Sequence, residues 1–150
     1  MPGFSMTMEI DANGVIVAVL DGMFSASAYI RLRREIFESR YGPADYDGRP
    51  IVADIRNCAL PDRDWPDQFQ EFAQFLRERR PSPFRIAIVI GDEKGAETAV
   101  TLFSEYQRLF FHAEVETRAF RDGDEAYAWA LAGLRPPGEP EPAGSGRQDD

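Results

Sequence analysis

A chain of 150 residues, 43% hydrophobic and 29% charged, is long enough for one core and too ordinary in composition to be disordered throughout. Its formal charge of −9, from 17 basic and 26 acidic residues, repels phosphate backbones and acidic leaflets and argues against nucleic-acid binding. No apolar run approaches the roughly 18 residues that span a bilayer, the opening residues lack a basic-then-apolar leader, and Cys58 has no cysteine partner, so an unexported, cytoplasmic protein without an intrachain disulfide is expected.

Met6 to Ile10 and Val15 to Leu20 read as strands joined by Asp11-Ala12-Asn13-Gly14, whose Asn-Gly pair supplies the positive φ angles of a tight hairpin turn. Ser25 is placed to cap a helix in which Ala28, Tyr29, Leu32 and Ile36 recur at helical spacing, and Tyr41-Gly42-Pro43 is expected to end it. Two arginine clusters, Arg31, Arg33 and Arg34 in this segment and Arg77, Arg79 and Arg80 in the next helical one, read as solvated faces and helix C-terminal charges. Ile51 to Ile55 is short, apolar and β-branched, as a strand covered on both faces requires. After it, Arg56 to Asp64 reads as irregular.

A helix is predicted from Asp64 or Trp65, with Pro66 tolerated in its first turn and Pro81 and Pro83 stopping it. Its stripe is Phe69, Phe72, Ala73 and Leu76; Trp65 reads as core and Phe75 as the stripe's edge, flanking a groove. Phe84 to Ile90 reads as a buried strand, and the helix after it carries Ala99, Leu102, Phe103, Tyr106, Leu109 and Phe110. Val115 to Phe120 makes a last strand, and Asp122-Gly123-Asp124 leads into a helix with Ala126, Trp129, Ala130 and Gly133 on one face. Residues 1–134 are thus one domain. Residues 135–150, rich in Pro, Gly and acid, read as a disordered tail.

Little in the chain suggests catalysis. His112 reads as a structural histidine near a helix C-terminus, and Gly144-Ser145-Gly146 lies in the tail, where no strand and helix flank it as in a nucleophile elbow. Gly91-Asp92-Glu93-Lys94-Gly95 has the position of a phosphate cradle, but its acids oppose an anion, so it reads as a turn and helix cap. Asp21, Asp54, Asp92 and Asp122 are expected at the carboxyl ends of strands, where oxygen ligands could gather around Mg²⁺ as in a receiver domain or phosphatase. The adjacent acids and the distant lysine of a receiver are lacking, so turn and cap duty is the simpler reading.

The element order, with Val17-Ala18-Val19-Leu20-Asp21-Gly22, Ile51-Val52-Ala53-Asp54-Ile55-Arg56, Arg85-Ile86-Ala87-Ile88-Val89, and Ala119-Phe120-Arg121-Asp122 through Glu125-Ala126-Tyr127-Ala128-Trp129, resembles the STAS (SpoIIAA-like) superfamily over Met8 to Leu134. The resemblance implies an α/β fold, a SpoIIAA-like βα superhelix: a mostly parallel sheet of about five strands with an N-terminal antiparallel hairpin and about four helices. It also implies a cytoplasmic, non-enzymatic module that needs no cofactor or metal and works by protein docking or small-ligand binding. Some relatives bind apolar ligands or membrane surfaces. Relatives that antagonise anti-sigma factors are phosphorylated on a Ser or Thr just after the strand matching Ile51 to Ile55. Here Arg56-Asn57-Cys58-Ala59-Leu60-Pro61-Asp62-Arg63-Asp64 holds no hydroxyl residue, so that switch cannot operate in the same way. Asp62 or Asp64 serves better as a helix cap than as a phosphate mimic.

The working surface is therefore expected along Arg56 to Gln68, with Arg56, Asp62, Arg63, Asp64 and Trp65 as partner-binding residues combining charge with an aromatic anchor. The partner expected there is a protein, a second copy of the chain included, or a small ligand, apolar ones included.

Overall fold

The computed structural model of the chain describes residues 3–59, 65–79, 82–92, 96–110 and 115–133. His112, Lys94 and the expected tail lie outside them. β1 (Ser5–Ile10) and β2 (Ile16–Met23) form the antiparallel hairpin. Its turn is held by Asp11, whose Oδ1 accepts the N–H groups of Asn13 and Val15 at 2.9 Å each, while Gly14 takes φ 85°. β2 continues past Leu20, and at Gly22 (φ 92°) a Cβ would collide with the Gly3 carbonyl, so only glycine fits.

α1 (Ala26–Ile36) begins as expected, Ser25 Oγ accepting the Ala28 N–H at 3.2 Å; the Gln68 side chain accepts the Ala26 N–H at 2.5 Å. It ends at Ile36, five residues before the expected Tyr41-Gly42-Pro43 stop. Pro43 instead opens the one-turn helix α2 (Pro43–Tyr46), its fixed φ suiting a first helical position, with the Gly42 N–H donating to Asp45 Oδ2 at 2.8 Å. β3 (Ile51–Ala59), α3 (Trp65–Arg79), β4 (Phe84–Val89), α4 (Ala96–Phe110), β5 (Val115–Phe120) and α5 (Gly123–Ala132) follow. Asp122 caps α5, accepting the Asp124 N–H at 2.8 Å.

The strands lie in chain order, β1-β2-β3-β4-β5, with β2 through β5 parallel. Ile16, Ala18, Leu20, Ile51, Ile86 and Ile88 face the layer of α1, α3 and α4; Val15, Val52, Ala87 and Val89 face Ala126 and Ala130 of α5. Successive crossovers thus return on the same side of the sheet, as right-handed βαβ units do when each new strand is laid beside the last.

The expectation that the α1 arginines are solvated is corrected at Arg33, which is 0% exposed. Its guanidinium lies 5.2 Å from the Phe37 ring, 5.1 Å from Tyr46 and 5.4 Å from Phe75, and its Nε donates to Glu38 at 3.1 Å. A buried cation needs a counter-charge and polarisable walls, and this box supplies both. Phe75, expected at the edge of its stripe, is accordingly buried, 5% exposed.

Candidate functional site

Asp21 and Asp54, expected at the carboxyl ends of their strands, stand inside β2 and β3, because both strands run on past Leu20 and Ile55. The stretch from Arg56 to Ala59, read as irregular, is β-strand: Asn57, Cys58 and Ala59 pair with Asp21, Gly22 and Met23. Val19 pairs with Asp54 and Asp21 with Asn57, so β3 carries one extra residue there, a β-bulge. Asp54 stabilises it. Its Oδ1 accepts the Arg56 N–H at 3.1 Å and Nε at 3.0 Å, and its Oδ2 accepts Arg56 Nη2 at 2.7 Å. The guanidinium holds the Asp54 carboxyl below the usual carboxylate range, and the carboxylate raises Arg56 in turn.

Two other acids at this end have partners. Asp92 lies 3.5 Å from Arg121 Nη1, which donates to the Gly91 carbonyl at 2.7 Å, and Asp122 is the α5 cap. Among the described residues, no three His, Cys, Asp or Glu side chains come together as a metal-holding group. Of the expected partner-binding residues, Arg56 is exposed on the bulge and Trp65 opens α3. Asp62, Arg63, Asp64 and the Trp65 side chain lie outside the described residues. With its strands in chain order the sheet has no reversal of strand order, and so no crevice of the kind such a reversal opens.

The structure places a different feature between the sheet and the α1/α3/α4 layer: a cavity of about 90 Å³. Its floor includes Ala18, Ile51, Ala53, Ile55, Ile86 and Ile88, and its roof Phe24, Tyr29, Phe72, Ala99, Val100 and Phe103. Register explains the void. Met8, Ala18, Ala53, Ile88 and Ala119 lie side by side across the five strands, so a row with three alanines dips the floor. The roof is held up by rings that brace one another: Phe72 stacks on Phe103 at 5.1 Å and meets Tyr29 edge-on at 4.6 Å and Phe24 at 5.7 Å. Large rings over small floor residues cannot collapse to fill the gap. Tyr29, Phe72, Ala99 and Phe103 were legible as core positions; the row of alanines was not, because it exists only once the strands are in register.

No protein-family model matches the sequence, and no curated protein matches it. Among solved structures the chain is similar to an uncharacterized protein of the DUF3478 family with a SpoIIAA-like fold, from Shewanella loihica PV-4. The two share 15% identity over 85% of this chain and 94% of that one, with a TM-score of 0.55. This protein has the SpoIIAA-like α/β fold, as the sequence led us to expect. No helix among the described residues is long and apolar enough to cross a membrane.

Proposed function

We propose that the protein is a non-enzymatic ligand-binding module of the cytoplasm, whose ligand is a small apolar molecule or the apolar end of one. The observation that carries this reading is the cavity between the alanine row and the ring-braced roof. An apolar cavity stays dry and takes apolar guests; one of about 150 Å³ admits benzene. At about 90 Å³ this one suits a smaller group or a narrow alkyl end, and a larger guest would need the roof to yield. The commitment of Asp54, Asp92 and Asp122 to bulge, ion pair and cap favours binding over acid-dependent chemistry.

Xenon and short alkanes are suitable probes, followed by methyl NMR of the isoleucines and alanines. Saturable shifts at Ala53, Ile55 and Ile88 that vanish in Ala53→Leu, which fills the space, are expected. Unshifted methyl signals at saturating xenon would sink the reading.

A second reading, protein docking at the carboxyl end, is favoured by the bulge, which fixes Arg56 by its two bonds to Asp54 with 52% of its side chain exposed. Arg56→Ala combined with Arg63→Ala then weakens capture of a protein partner without lowering the melting temperature by more than about a degree or two. Capture equal to that of the unaltered protein would remove this surface from consideration.

A further inference from the structure

Among the described residues β5 is bonded only to β4, so its other side is a free edge. The side is defined by one bond: the Phe120 carbonyl accepts the Ile90 N–H at 2.8 Å and so points to β4. Because backbone groups alternate sides along a strand, those of Arg118 and Glu116 point to β4 too. Those of Val115, Thr117 and Ala119 point outward.

We propose that two copies of this chain associate by antiparallel pairing of their β5 edges about a twofold axis through Thr117, joining two sheets into one. In this register Thr117 faces Thr117 of the second copy, and Val115 faces the second copy's Ala119. These are the residues with outward N–H and C=O groups, as hydrogen-bonded antiparallel pairs require. Glu116 then stands opposite the second copy's Arg118, twice by symmetry, in the non-bonded pairs where side chains lie closest.

Two observations support that register. Arg118 is exposed and rests on the Trp129 ring, 5.0 Å from guanidinium carbon to ring centre, with no carboxylate partner among the described residues. Glu116 is held by Arg85 at 3.0 Å yet leaves 66% of its side chain in solvent, so its second oxygen is available.

Slips are penalised. A two-residue shift one way sets Arg118 opposite itself, and the other way sets Glu116 opposite itself. Among the described residues the approach is open: a groove lined by Thr98, Thr101 and Ser104 runs between α4 and this edge, and α5 packs mainly over β3 and β4. The opposite edge, β1, carries Ser5, Thr7 and Glu9 on its exposed face, with no cation to answer the acid.

Sedimentation velocity on the full chain at tens of micromolar tests this. The unaltered protein should sediment as a dimer. Arg118→Glu and Glu116→Arg each place like charges opposite and should weaken self-association roughly tenfold or more. Mixing the two variants, or combining both changes in one chain, should restore dimers, because every facing pair is again opposite in sign. A monomeric unaltered protein, a dimer untouched by Arg118→Glu, or a mixture that stays monomeric overturns the proposal. Should Glu116→Arg misfold through loss of its Arg85 contact, the Arg118→Glu result decides alone.

Discussion

On one face of the sheet three helices lay phenylalanine and tyrosine rings over a floor dipped by alanines; on the other, α5 lays Ala126 and Ala130 directly against Val15, Val52, Ala87 and Val89. Both helical residues of the second face are 0% exposed, and small side chains there bring helix and strand close. The first face uses the same residue type to the opposite end: its alanines lie beneath rings too wide to follow them down. An alanine closes the gap when its neighbours are small and opens one when they are large.

The largest expected effect lies in the first face, at Arg33. Arg33→Ala removes the cation from its ring box and leaves Glu38 without it, and should cost about 3–5 kcal/mol in urea unfolding. Arg33→Met, which refills the box with an apolar chain, should cost much less; equal losses would show that the charge, not the volume, holds the box together.

The contrast between faces is sharpened by adding methyl groups to each. Ala130→Leu should overpack the α5 face and lose about 1–3 kcal/mol. Ala53→Val should be neutral or gain up to about 1 kcal/mol by entering the cavity. Two losses of similar size would mean that the first face is as full as the second.

Smaller is the tie between α5 and the hairpin turn. Tyr127 donates its hydroxyl to Asp11 Oδ2 and accepts from Asn13 Nδ2 at 3.0 Å. The Asp11 carboxylate raises the Tyr127 pKa above its ordinary value of about 10. A raised value in the folded state means that the contribution is complete below about pH 10 and disappears as pH climbs through the raised value. Tyr127→Phe should therefore cost about 0.5–1 kcal/mol at neutral pH and flatten the alkaline fall in stability. An unchanged alkaline limb would assign that fall to other groups.

The smallest effect belongs to the bulge. Since Arg56 lowers the Asp54 pKa, the pair supports the fold above the ordinary carboxylate value and is lost as pH drops through the lowered one. Arg56→Ala should therefore lower neutral stability slightly and bring the acid midpoint of unfolding to slightly higher pH, the difference fading as pH falls through the lowered value. A midpoint that does not move would mean that the backbone alone holds the bulge.

Most strands and long helices were legible because their cause is local. Asn13-Gly14 dictates the hairpin, β-branched runs mark β3 and β4, and Ser25 and Asp122 cap α1 and α5 as expected. Misreadings arose where the cause lies across the sheet. Arg56-Asn57-Cys58-Ala59 has little strand propensity and is extended because β2 offers a partner and the bulge turns Cys58 inward. Arg33 reads as a surface residue because the box that accepts it closes only when Tyr46 of α2 and Phe75 of α3 pack against the end of α1. The candidate cavity was not legible, since neither Ala18 nor Ala53 shows its neighbours across the sheet.

Strand order carries one further implication, for how the chain acquires its fold. Each strand after the first is bonded to the strand made just before it, and none is inserted between two already present. No pairing has to wait for a segment made later, and each step closes only the one connection between neighbouring strands. On the ribosome the sheet can grow one strand at a time behind the exit point, its open edge passing from β2 to β3 to β4. When synthesis reaches β5 that edge stops advancing, and the unpaired groups of Val115, Thr117 and Ala119 are what the finished sheet still presents.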